Sequence, residues 1–334
     1  MSSVRRKIAL TAAVTLTVMI VVALWSWPST PSLALDVPII DAAPDGWLAA
    51  NETLIEAEFG IFAASEKRVR WQVGAAGKQT DFSVVYLHGF SATRQEIAPV
   101  SQRLADALGA NLYETRLAGH GLKTHKLENV TAEDWLADTA EAIAVGRRIG
   151  KRIILIGTST GATLALAAAT SRPEDIAALV LISPNFSPRD KNADAMLWPG
   201  GPLLARLTLG GTLSWEPSNA MQERFWTTEY PLAAVIEVMR LVKAIRLSLP
   251  LTLQQPLLIF LSRQDDVISV DRAIAALAEI SAPAKQIVEV ESRAPGHHVL
   301  AGDILAPEKT DAVVQDILEF LGPHLPGKSS AVEL

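Results

Sequence analysis

Residues 151–161 read Lys-Arg-Ile-Ile-Leu-Ile-Gly-Thr-Ser-Thr-Gly and run straight into the small-residue stretch 162–169. A β-branched apolar strand that passes into Gly-x-Ser-x-Gly and then a helix-forming run leaves few folds open. Ser159 must sit on a sharp strand-to-helix turn. The flanking Gly157 and Gly161 remove the Cβ atoms that would collide with the neighbouring strand and helix. Such a turn holds a hydroxyl above the edge of a sheet, where a nucleophile is needed. The pentapeptide alone is a weak signal, because a plain Ser/Gly turn has the same letters; the strand and helix around it give it meaning.

A serine of this kind works with a base, an orienting acid and two N–H donors aimed at one point. The run 255–261 follows the pattern of a short buried strand and ends in Ser262-Arg263-Gln264-Asp265-Asp266-Val267-Ile268. A carboxylate just past a strand's C-terminal end lies on the face that carries the turn. Asp265 is the expected acid, and Asp266 is expected to begin a turn or cap the helix starting near Val270. A last strand over 285–290 precedes Pro295-Gly296-His297-His298-Val299-Leu300. Adjacent side chains diverge, so only one histidine can reach the serine, and the pair does not read as a two-histidine metal site. His298 is the expected base, with His297 the fallback. His88, His120, His125 and His324 read as structural hydrogen-bonders.

One N–H donor is expected from Thr160, the residue after the serine. The other is expected from Phe90, in His88-Gly89-Phe90 after a strand over 82–87, where Gly89 lets the backbone approach a ligand closely. Thr93-Arg94-Gln95-Glu96 reads as a capping box opening a helix over 94–108.

The order Ser159, Asp265, His298, with His88-Gly89-Phe90 and Gly119-His120-Gly121 upstream, resembles the α/β-hydrolase superfamily. Within it the chain is similar to the esterase, monoacylglycerol-lipase and serine-aminopeptidase-like group, over about 69–321. The resemblance implies an α/β-hydrolase fold: a mostly parallel sheet with helices on both faces and a variable helical cap after the sixth strand. It implies a catalytic triad of Ser159 as nucleophile, His298 as base and Asp265 as orienter, with Phe90 and Thr160 as oxyanion donors. The chain departs from the common pattern in carrying Thr at both x positions of the elbow, the first of which is often bulky.

The rest of the chain fits. Strands over 68–73, 82–87, 111–114, 152–156 and 177–182 alternate with helices over 94–108, 132–149 and 159–170, which predicts a parallel sheet covered on both faces. The glycine-rich 74–80 has the wrong spacing for a phosphate loop and reads as a hairpin turn into Phe82. Between 185 and 255 no strand is convincing; Trp198, Trp215, Phe225, Trp226 and Tyr230 and a helical pattern over 232–247 predict a cap over the site. The expected division is 1–27 anchor or signal, 28–64 linker and pre-core segment, 65–184 and 256–322 core, 185–255 cap and 323–334 tail.

Three basic and no acidic residues lie in the first 35, so a chain of net charge −6 leaves −9 on the remainder, which argues against a nucleic-acid partner. The absence of cysteine removes disulfides, thiol catalysis and thiolate-bound metals. Neither a cofactor nor a metal is called for.

Arg5-Arg6-Lys7 precedes an uncharged stretch at 8–27, about 30 Å as a helix, with Trp25 and Trp27 at its far end. It reads as an uncleaved transmembrane anchor, longer than the apolar core of a signal peptide, with the catalytic domain outside the cytoplasm; cleavage and secretion is the alternative. The Pro-, Ser- and Ala-rich 28–44 reads as a linker lifting the domain off the membrane.

The expected reaction is two-step hydrolysis of carboxylic esters with small to medium apolar acyl groups. A peptidase or amide hydrolase with the same triad is the alternative, with Glu216, Glu223 and Glu229 as candidates to hold a free amino terminus. A membrane-tethered binding protein of the same fold would show a lost triad member, and none is lost.

Overall fold

The computed structural model describes residues 27–325 and, before them, 5–8, 10, 11, 13, 14 and 17. Its centre is a seven-stranded sheet in the order β1-β3-β2-β4-β5-β9-β11. These strands are β1 (Arg68–Arg70), β2 (Thr80–Leu87), β3 (Asn111–Glu114), β4 (Gly150–Thr158), β5 (Ile176–Ile182), β9 (Leu257–Leu261) and β11 (Lys285–Glu289). All pairings are parallel except that of β1 with β3 at one edge.

Burial on both faces explains why the central strands read as unbroken apolar runs. On β4, Ile153 and Leu155 enter one core while Ile154 and Ile156 enter the other. The first core is closed by α1 (Pro44–Phe59), α3 (Ala132–Ile149), α4 (Thr160–Ser171), α7 (Leu232–Leu247) and α8 (Val270–Ala278). The second is closed by α2 (Val100–Leu108) and α9 (Pro307–His324). Helix α3 covers the span the sequence predicts. Thr131 caps it by accepting from the Asp134 N–H at 3.2 Å while its own N–H donates to the Asp134 carboxylate, and Arg147 and Arg148 meet the negative end of the helix dipole.

Between β5 and β9 the chain builds the cap. A 3-10 turn over Lys191–Leu197 leads into α5 (Gly201–Leu209), β6 (Thr212–Ser214), α6 (Ala220–Phe225), β7 (Glu229–Pro231) and α7. The cap was expected to lack strands, yet β6 and β7 form an antiparallel pair. Three residues each is too short for an alternation to be visible. Two further short strands, β8 (Leu251–Thr252) and β10 (Ile280–Ser281), pair in parallel away from the main sheet.

Three other expectations are corrected. The helix expected from Arg94 begins only at Val100, and no capping box forms. Thr93 Oγ1 receives only the Gln95 N–H, at 3.4 Å, and Glu96 turns its carboxylate inward, where buried donors hold it more strongly than an exposed helix end would. The glycine-rich 74–80 does turn the chain, but β1 pairs with β3 and not with β2, so no hairpin results. Residues 28–44 do not hang free (Leu35 and Ile40 are buried in the first core). The Leu35 N–H donates to Ser171 Oγ at 2.8 Å, and the Arg240 guanidinium holds Ser29 O at 2.7 Å and Ser29 Oγ at 3.0 Å. Leucines and isoleucines scattered among the prolines give this strap its apolar contacts, a feature average composition conceals.

The expected membrane span at 8–27 lies mostly outside the described residues, as does most of the tail. Among the described residues no helix is long and apolar enough to cross a membrane.

Candidate active site

Ser159 sits where β4 meets α4, with φ 53° and ψ −114°. For a residue bearing a Cβ this is a strained conformation, held here by the surroundings. Its N–H donates to Ile182 O at 2.8 Å on the neighbouring strand. A Cβ on Gly157 would lie 2.3 Å from Gly161 O, and one on Gly161 would lie 2.1 Å from Leu87 O. Both neighbours are backbone that cannot step aside, so the elbow closes only with glycine at both flanks.

The loop after β2 lies beside it. A Cβ added to Gly89 would meet the Ser159 Cβ at 3.3 Å and Glu96 Oε1 at 2.8 Å. Each residue of this loop is pinned. The His88 Nε2 accepts from the Leu117 N–H at 3.0 Å, and the Gly89 N–H donates to Glu96 Oε2 at 2.8 Å. The Phe90 ring packs edge-on against Tyr230, His120 and Trp135. The Ser91 N–H donates to His120 Nε2 at 3.1 Å, and Ser91 O accepts from the Thr227 N–H at 2.7 Å. Among the described residues, neither the Phe90 nor the Thr160 N–H has an acceptor within the protein.

Both histidines accept at Nε2 and carry their proton on Nδ1, which meets a backbone carbonyl. Burial drives them neutral: His88 is held well below the usual imidazole range, and His120 is lowered to about 4. They are therefore braces of the loop, as the sequence reading of lone histidines suggests. Glu96, assigned to a helix cap in the sequence, is the residue that reading missed. It is buried and accepts from Tyr86 OH as well as from Gly89, and Tyr86 OH also meets Thr158 Oγ1 at 3.1 Å. Burial raises its pKa above the ordinary carboxylate value despite these donors. No periodicity could reveal this, because the partners are 10 and 7 residues away across a turn.

The loops after β9 and β11 separate the paired candidates. His298 Nδ1 meets Asp265 Oδ2 at 2.6 Å, and both side chains are buried. Asp265 Oδ1 accepts from the N–H groups of Val267 and Ile268, at 2.8 and 3.0 Å. With the carboxylate an acceptor on both oxygens, the imidazole carries a proton on Nδ1 and leaves Nε2 free to accept. The neighbours point elsewhere. Asp266 is exposed and pairs with Arg189; of its two expected roles, turn or helix cap, the cap falls away, since Ser269 holds the N-cap position, and the His297 ring meets Ser292 O at 2.7 Å.

Ser159, Thr160, Phe90 and His298 line one cavity of about 470 Å³. Its wall is largely apolar. Of the cap rings expected over the site, Trp215, Trp226 and Tyr230 line it. Phe225 is buried in a neighbouring cluster and Trp198 is exposed. Glu96, Asp190 and Glu216 are its acidic groups, whereas Glu223 and Glu229 are exposed outside it. Two buried oxygens of residues at the wall, Thr160 Oγ1 and Asn185 Oδ1, have no hydrogen-bond partner among the described residues. Among the described residues no cluster of His, Asp and Glu could hold a metal ion.

A family model described as serine aminopeptidase, S33, matches residues 78–294, about two thirds of the chain. No curated protein sequence matches at a significant level. Solved structures share the fold at low identity. A metagenome-derived lipolytic enzyme superposes with a TM-score of 0.62 at 20% identity, over 79% of this chain and 100% of its own. The monoacylglycerol lipase of Paleococcus ferrophilus gives 0.56 at 18%, over 76% and 98%. Est1E of Butyrivibrio proteoclasticus, solved with ferulic acid bound, gives 0.52 at 20%, over 78% and 94%.

Proposed function

The chain belongs to the serine aminopeptidase S33 family within the α/β-hydrolase superfamily, and from that premise we propose that it is a serine hydrolase of carboxylic esters with small to medium apolar acyl groups. What supports this most is that a serine on a strained elbow, two N–H groups without acceptors and a histidine held by a buried carboxylate line one largely apolar cavity. His298 Nε2 takes the proton of Ser159 as Oγ attacks the ester carbonyl carbon. The oxyanion that forms accepts from the Phe90 and Thr160 N–H groups. Collapse breaks the bond to the alcohol, which leaves with the proton from His298. Water, deprotonated by His298, then attacks the acyl-enzyme; the acid departs and Ser159 regains its proton. Asp265 keeps the imidazole in the accepting tautomer and stabilises the imidazolium. We place this domain outside the cytoplasm, behind the segment 8–27.

One observation favours a second reading. Asp190 and Glu216 line the cavity and, among the described residues, no Lys or Arg does. Carboxylates without a cation suit a substrate with a free amino group, as in hydrolysis of an N-terminal amide. The test compares p-nitrophenyl esters of increasing acyl length with aminoacyl p-nitroanilides, using the full chain and Ser159→Ala. Ester turnover lost in the variant supports the first reading and sizes the pocket. Anilide turnover alone, weakened by Glu216→Gln, replaces it with the second. No turnover of either by folded protein overturns both in favour of a binding role.

A further inference from the structure

The cap carries an apolar face that nothing in the described protein covers. Leu203, Leu204 and Leu207 lie at i, i+1 and i+4 on α5, one stripe of a helix, and are 54%, 60% and 75% exposed. Trp198, on the turn leading into α5, is 65% exposed. Arg206 beside the stripe is exposed and has no ion-pair partner among the described residues. Isolated exposed leucines are ordinary, but three on one helix beside a tryptophan form a patch.

The place where the N-terminal segment arrives says what covers it. The uncharged stretch 8–27 ends at Trp27, which is 51% exposed. The next two residues, Pro28 and Ser29, share a surface groove with Pro202 of α5 and with Ala233, Ile236 and Arg240 of α7. Arg240 grips Ser29 through two hydrogen bonds and is itself held by Glu133 and Glu237. An apolar segment able to enter a bilayer thus leaves the domain beside the exposed leucines, and no slack linker separates the two.

We propose that α5 and Trp198 dock on the surface of the same phospholipid bilayer that receives residues 8–27, so that the strap fixes the cap against the membrane. The leucines enter the acyl boundary, Trp198 and Trp27 sit at headgroup level, and Arg206 faces the phosphates. Helix α5 packs on the 3-10 turn and on α7, whose Met196 and Met239 line the cavity, so docking sets the wall of the cavity next to the lipid. The docking does not depend on the chemistry proposed above, and its test needs no turnover.

The chain has no cysteine, so Leu207→Cys and, at the opposite end of the sheet, the 96% exposed Val73→Cys each give a single labelling site. The full chain, reconstituted in phosphatidylcholine–phosphatidylglycerol vesicles, carries an environment-sensitive fluorophore at either position. Quenching is measured with nitroxide-bearing lipids and with aqueous iodide. The proposal requires loss of most of the signal at 207 to the lipid quencher and none at 73. It also requires Leu203→Asn with Leu204→Asn to shift the docked equilibrium roughly 100-fold towards water, since each buried leucine is worth about tenfold or more. Equal exposure to iodide at both positions overturns it. So does a label at 207 shielded from iodide yet beyond reach of the lipid quencher, which would assign the face to a second copy or to the chain's own N-terminal segment.

Discussion

Replacing Asp265 by Asn tests whether this carboxylate governs the tautomer of His298. Asp265 makes three contacts: Oδ1 accepts from the N–H groups of Val267 and Ile268, and Oδ2 meets His298 Nδ1. An asparagine that keeps its oxygen towards the two N–H groups presents an NH2 to the imidazole. Nδ1 must then accept, the proton moves to Nε2, and Nε2 can no longer receive the proton of Ser159. Flipping the amide restores the productive tautomer but sets the NH2 against two N–H donors. That loses two buried hydrogen bonds at roughly 1–3 kcal/mol each. The productive form is therefore about 2–6 kcal/mol less accessible, a fall in kcat of about thirtyfold to about 10⁴-fold. KM should change little, because Asp265 is not at the cavity wall. The assay is p-nitrophenyl ester hydrolysis by the full chain, with thermal unfolding to show that the variant is folded. A folded variant within tenfold of the parent kcat, or an equal loss on Asp266→Asn, would refute the reasoning.

Three further outcomes follow from the same geometry. Glu96→Ala leaves the Gly89 N–H and Tyr86 OH without their buried acceptor, so stability should fall by about 2–4 kcal/mol and kcat with it, while Glu96→Gln, which keeps an acceptor, should recover most of both; an alanine variant as stable as the parent in urea would remove Glu96 from this role. Gly161→Ala forces a Cβ against Leu87 O and should cost about 2–4 kcal/mol or prevent folding, whereas Gly211→Ala, with nothing within 4 Å of the added atom, should stay within about 0.5 kcal/mol; equal unfolding midpoints would contradict this. His120 is neutral when folded, with its pKa lowered from 6.5 to about 4, so between those values the unfolded chain binds more protons. Its contribution, roughly 3 kcal/mol, is complete above pH 6.5 and is lost as pH falls towards 4; His120→Asn should flatten urea stability across that window, and an unchanged slope would count against it.

The sheet was legible because its two buried faces leave long apolar strands with turns between them. Strand β3 and helix α3 fall where the pattern puts them. The elbow was legible for a local reason: the two glycines and Ser159 lie within five residues between an apolar strand and a small-residue helix, although the backbone that excludes a side chain at Gly161 belongs to β2. Where a feature depends on distant partners, the pattern pointed the wrong way. Thr93 to Glu96 has the letters of a capping box, yet the glutamate is claimed by Gly89 and Tyr86. The proline-rich 28–44 has the composition of a linker, yet Leu35 and Ile40 find the core and Arg240 finds Ser29.

By itself, then, the sequence determined the alternating architecture and the turn at Ser159, since both are written as local patterns: apolar runs separated by turns, and a serine between two glycines at the junction of a strand and a helix. Only the tertiary structure shows that Asp265, and not Asp266, meets a histidine, and that the histidine is His298 and not His297. Successive side chains diverge, and which one of each pair faces the other depends on how two loops, 33 residues apart, meet at the end of the sheet. The same holds for the apolar stripe on α5. A row of leucines reads equally as core or surface until the fold shows which face is left uncovered.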